Sequence, residues 1–179
     1  MTHERLQAAL LIAVTTLMPG PAVASDLFPG FAAPAAAMDP GDCQDAADLD
    51  AKEACYARLP AAMIEECESL RLFACAPYRN MHIARQAHEA AIEALAHASR
   101  RTRATGSDPS YADTLVDRLR DAERAWEAWR DAECALEPLL DGMSRNEAVD
   151  LAEACRAEKT RARAALVRAR ATGMEDAER

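Results

Sequence analysis

The residues whose types could do chemistry are six cysteines, Cys43, Cys55, Cys67, Cys75, Cys134 and Cys155, and the histidines His82, His88 and His97. Finger-type zinc sites pair thiols two to four residues apart. Here 11, 11, 7, 58 and 20 residues intervene, so the pattern fits no such metal site. An even count points to disulfides if the chain matures in an oxidising compartment. The histidines stand six and nine residues apart. They miss the i, i+4 geometry that aims two ligands from one helix face, and read as packed or solvated. Glu65 and Glu66 are adjacent, so on a helix they point in different directions. No G-x-S-x-G, H-E-x-x-H or phosphate-cradling glycine loop occurs. The sequence therefore proposes no catalytic residue, no metal ligand and no cofactor, and reads as a non-enzyme.

The compartment is read from the first residues. Leu6 to Met18 is an apolar run, too short for the roughly 20 residues that span a bilayer. Pro19-Gly20-Pro21 follows, then Ala22-Val23-Ala24, a small-residue cleavage pattern before Ser25. We read residues 1–24 as a signal peptide cut after Ala24, which makes the mature protein periplasmic or secreted, with no membrane span. Residues 25–41, rich in Pro, Ala and Gly, read as a flexible leader. Residues 42–77 read as a Cys-rich acidic helical hairpin, 78–171 as a three-helix region, and 172–179 as a disordered tail.

Composition gives the class. Aromatics are 4% of the chain and the apolar share is carried mostly by alanine, which favours helix over sheet. The expectation is an all-α fold, disulfide-stapled helical hairpins forming a small antiparallel bundle. A helix over Gln44 to Leu59 stops before Pro60, and another covers Ala61 to Ala74. Met81, Ala84, His88, Ile92 and Leu95 form one stripe of a helix from Tyr78 to Arg101. Leu115, Leu119, Ala122, Trp126 and Trp129 form the seam of the next, from Tyr111 to Leu136, which Pro138 ends. Ser144 and Glu147 make a capping box, so a last helix starts at Arg145. It runs to about Ala171 with Leu151, Cys155, Ala162 and Leu166 along it.

Folding the first two helices antiparallel about Pro60 suggests a nested pairing, Cys55–Cys67 within Cys43–Cys75. Sequential pairing, Cys43–Cys55 and Cys67–Cys75, is the rival. It requires Cys43 to lie before the helix, because twelve residues of helix rise about 18 Å and a disulfide needs Cα atoms within roughly 7 Å. Cys134 and Cys155 flank a loop between long helices and read as a pair that staples them.

With 21 Lys+Arg against 30 Asp+Glu the formal charge is -9. Nucleic acid wants clustered cations and is a poor partner; a basic protein is a plausible one. Asp39, Asp42, Asp45, Asp48, Asp50, Glu53, Glu65, Glu66 and Glu68 face only Lys52 and Arg58 over the first two helices. They read as a solvated surface or as a docking face for such a partner.

Ala125-Trp126-Glu127-Ala128-Trp129-Arg130-Asp131-Ala132-Glu133-Cys134, followed by Cys155, Thr160 and Arg163, resembles the signature of the LprI-like lysozyme-inhibitor family, W-x2-aromatic-R-D-x2-C and then a second C with T and R. The resemblance covers about Cys43 to Val167. Trp129 stands where Tyr or Phe is usual, and Cys67 and Cys75 are additions. The resemblance implies a small exported helical protein, some of whose relatives bind and inhibit lysozyme, and it favours Cys43–Cys55. By spacing, Trp126 and Trp129 are read as core, and Arg130 and Asp131 as a cap or brace of the helix pair. The expected function is binding of lysozyme or another basic protein. The alternative is a structural or interaction module of the cell envelope without lysozyme inhibition.

Overall fold

The computed structural model describes residues 39–71, 74–103 and 110–176. The signal peptide expected at 1–24, and the leader as far as 38, lie outside them. Every element among the described residues is a helix: α1 Pro40–Gln44, α2 Leu49–Arg58, α3 Ala61–Leu70, α4 Ala76–Arg103, α5 Ser110–Leu140 and α6 Arg145–Asp176.

The helix expected over Gln44 to Leu59 starts only at Leu49, and a separate one-turn helix precedes it. Asp39 and Asp42 close a capping box around Pro40, and this one-turn helix ends at Gln44. Asp48 then caps α2 by accepting from Ala51 N–H at 2.8 Å. The break puts Cys43 ahead of α2, where the chain curls back and the sulfurs of Cys43 and Cys55 meet with Cα atoms 5.4 Å apart. Cys67 is bonded to Cys75, Cα atoms 6.3 Å apart. The pairing is thus sequential, not nested. Helices α2 and α3 do not form the expected antiparallel pair either: α2 lies along α4, and α3 touches α1 and the start of α4. Glu68 of α3 accepts from the N–H groups of Cys75 and Ala76, both at 2.7 Å, and so caps α4 from a neighbouring helix. Cys43, Cys55, Tyr56, Leu59, Ile64, Cys67, Cys75 and Tyr78 form one small buried core around the two bridges.

The three long helices make the bundle. Tyr78 Oη donates to Asp150 at 2.7 Å and Arg101 pairs with Glu175, so α4 and α6 run parallel. Helix α5 runs antiparallel to both, with Arg120 on Glu93, and Glu123 on Arg163. The α4–α6 contact is the most extensive in the fold, and its cause is legible in register. Ala84, Ala91 and Ala98 recur every seven residues on α4; Ala157, Ala164 and Ala171 do so on α6; all six are buried. Small side chains facing each other let two axes approach closely.

That closeness decides which residues are shed. The buried face of α6 is Ala148, Glu153, Ala157, Thr160, Ala164, Val167 and Ala171, while Leu151 and Leu166, expected on the packed stripe, are exposed. Helix α5 buries Ala112, Val116, Glu123, Arg130 and Cys134, a face rotated from the one predicted. Pro138 lies inside α5 rather than ending it. The helix closes two residues later in a Schellman turn, with Met143 N–H on the Pro138 carbonyl and Gly142 at φ +79°. Ser144 and Glu147 cap α6. Of the tail expected at 172–179, residues 172–176 are the last turns of α6 and 177–179 lie outside the described residues.

Cys134 on α5 is joined to Cys155 on α6 across 21 positions, Cα atoms 5.6 Å apart. Closing a loop of that length constrains the unfolded chain by about 3 kcal/mol. The Cys134→Ala/Cys155→Ala variant should therefore melt about 10 °C lower by circular dichroism. A shift within error of zero would show that the helices hold together without the bridge.

Candidate functional site

Trp126, Arg130, Asp131, Thr160 and Arg163 come together inside the bundle, in two ionic groups. The first spans α5 and α6. Arg130 is buried; its Nε donates to Asp131 and a terminal nitrogen donates to Thr160 Oγ1, both at 2.8 Å. Thr160 is fully buried and lies against Met81 of α4. Asp131 also accepts from Arg156 Nε at 2.9 Å, and Arg156 continues to Glu153 at 2.6 Å and to Glu53 at 3.6 Å. Glu53 belongs to α2, and Arg85 of α4 pairs with both it and Asp50. One chain of charges thus fastens α2, α4, α5 and α6.

The second group is shorter. Arg163 grips Glu123 with two parallel bonds, 2.8 and 2.7 Å, the fork geometry at which arginine excels. His88 Nε2 lies 3.1 Å from the same carboxylate. Trp126 completes it, edge-on to His88 at 5.4 Å, with the guanidiniums of Arg130 and Arg163 5.3 and 5.4 Å from its ring centroid. Cations so placed are attracted to the indole face.

Of the two tryptophans read as core, Trp126 is half-buried, and Trp129 is 52% exposed with Lys159 5.4 Å from its ring. The correction has a simple cause. The seam of α5 is taken by Glu123 and Arg130, seven residues apart, so the face bearing Trp129 turns outward. There Trp129, Ala162 and Leu166 border a shallow groove. Sequence reasoning missed Glu53, Glu123, Glu153 and Arg156, all drawn into the interior. The seven-residue step Val116–Glu123–Arg130 was the available signal for one of them; Glu53 had none.

Burial works to raise the Glu123 carboxyl, but hydrogen bonds from Arg163 and His88 outweigh it and hold the group below its ordinary range. Glu53 goes the other way. Burial first, then the neighbouring Glu153, push its carboxyl up to about 8 against the pull of Arg85 and Arg156. Glu53 Oε1 and Glu153 Oε1 are both buried without a hydrogen-bond donor, and a protonated Glu53 carboxyl has an O–H to offer. Burial also depresses the Lys52 ammonium, which lies 4.1 Å from the Tyr78 ring centroid. Among the described residues no group of His, Cys, Asp and Glu is arranged to hold a metal ion, and no helix is long and apolar enough to cross a membrane.

Two outcomes follow from these charges. Removing one partner of a buried ion pair strands the other, at about 3–5 kcal/mol. Glu123→Ala should accordingly lose about that much in urea unfolding, with Arg163 left unmatched. Glu53 is a raised acid, so between pH 4.5 and 8 the folded chain holds a proton that the unfolded chain has released. Stability is full below that window and falls as pH rises through it. Glu53→Gln should flatten this fall in urea midpoints measured from pH 5 to 8; an unchanged slope would assign the titration to other groups.

No curated protein and no solved structure matches the chain. The family described as Lysozyme inhibitor LprI matches it over residues 60–166, from the residue before α3 into the second half of α6. The match takes in Cys67, Cys75, Cys134 and Cys155 and both interior charge groups except Asp50 and Glu53; Cys43 and Cys55 precede it. With more than half of its length matched, this chain belongs to the LprI lysozyme-inhibitor family.

Proposed function

We propose that the protein is exported and binds a basic protein of the lysozyme type, inhibiting it by occupying its surface rather than by chemistry. Family membership is the observation that carries this reading. Charge supports it. The interior carboxylates face guanidiniums, whereas Asp42, Asp45, Asp48, Asp50, Glu65 and Glu66 are exposed on α1–α3 and the turns between them. Leaving out the buried Glu53, residues 39–59 carry five acids, Asp39, Asp42, Asp45, Asp48 and Asp50, against Lys52 and Arg58. A surface of that sign steers a cationic partner and speeds encounter more than it deepens affinity. The three disulfides suit maturation in an oxidising compartment.

The test is turnover of a basic lysozyme in the presence of the protein, with association rates measured against ionic strength. Inhibition at micromolar protein and a rate that falls steeply with salt are expected. Asp45→Lys/Glu65→Lys/Glu66→Lys alters side chains outside the interior brace. It should slow association about tenfold at low salt and little at high salt. Absence of both inhibition and association would leave the protein as a structural module of the envelope.

A further inference from the structure

We propose that the cleft where the C-terminal turns of α4 and α6 meet the N-terminal half of α5 binds a fatty acid. At this end α5 stands off from the tight α4–α6 pair, leaving a cavity of about 680 Å³, within the range that holds a small ligand. Its walls are Leu95 of α4, Leu115 and Leu119 of α5, and Met174 of α6. Ser99 and Thr102 also line it, but their hydroxyls are satisfied by carbonyls of their own helix, at 2.7 Å on Leu95 and 2.9 Å on Ala98. The lining therefore offers an acyl chain a dry wall and asks little hydrogen bonding of it.

Among the described residues, the charged ones lining the cleft are two arginines, Arg118 on α5 and Arg170 on α6. Both are exposed, and neither has an ion-pair partner among the described residues. On a chain of net charge -9, an apolar cleft bordered by unmatched guanidiniums selects an amphipathic anion. A carboxylate fits the guanidinium fork by two parallel bonds. Gly173 gives the second mark of a space kept open. It sits in the last turn of α6, where glycine is a weaker helix former than alanine. A side chain built there would meet no atom within 4 Å. The position lines the cleft, so glycine's absent side chain enlarges the cavity.

Titration calorimetry with dodecanoate below its micellar concentration tests this, with dodecyltrimethylammonium as the same tail on the opposite charge. Dodecanoate should bind one to one, at least about tenfold more tightly than the cation. Arg118→Glu/Arg170→Glu should reverse that order, because only the charge at the cleft changes. Gly173→Leu should abolish binding of both while leaving the melting temperature equal or higher, since it fills the cleft and improves helix propensity. Equal affinity for the two head groups, or dodecanoate binding that survives Gly173→Leu, overturns the proposal. So does a dimer in sedimentation that Gly173→Leu dissociates, which would assign the cleft to a second copy of the chain.

Discussion

Placing guanidinium and carboxylate groups inside a helical bundle constrains everything around them. Taking each ion from water costs several kcal/mol, which only a close and well-directed partner offsets. Arg163 finds Glu123, Arg156 finds Glu153 and Asp131, and Arg130 finds Asp131 and Thr160. Each pair joins specific turns of different helices or locks a side chain that does. A slip of one helix by a single turn would leave several charges buried without partners, so the network fixes register more than it adds stability. Apolar layers alone would not do so here, because an alanine row matched to an alanine row packs nearly as well one heptad along.

The disulfides act on the same problem from the chain's side. Cys134–Cys155 sits one turn beyond Arg130 and Asp131 on α5 and next to Arg156 on α6, so the bridge clamps the two helices at the level where the charges must meet. Cys43–Cys55 and Cys67–Cys75 hold the short helices against the start of α4. That in turn presents Glu53 of α2 to Arg85 and Arg156. Short helices of five and ten residues are marginal alone. Sulfur bridges and one buried carboxylate supply what their small apolar area does not.

What the sequence disclosed follows the kind of signal each feature carries. The class, the α4 stripe through Met81, Ala84, His88 and Leu95, and the α6 start at Ser144 rest on local chemistry and were legible. The packed faces of α5 and α6 were not. Periodicity arguments weigh large apolar residues, whereas the apolar residues that α6 buries are Ala148, Ala157, Ala164, Val167 and Ala171, and Leu151 and Leu166 are shed to the flanks. The break after Gln44 was hidden because Asp48 reads as one more surface acid until its cap on Ala51 is seen. The pairing of Cys43 with Cys55 depends on that break, which is why spacing alone left it open.

The residues that carry the resemblance in the sequence mostly serve this interior. Trp126, Arg130, Asp131, Thr160 and Arg163 contact one another or the charges beside them, and Trp129 is the motif residue that faces solvent. A signature built from buried braces identifies a scaffold, and a scaffold held by its interior leaves its outer faces free to vary. The acidic N-terminal helices, lying largely outside the matched residues, are one such face. The groove beside Trp129 and the cleft between α5 and α6 are others. Replacing an exposed side chain on one of these faces leaves the interior ion pairs intact, so binding can be altered there at little cost to the fold.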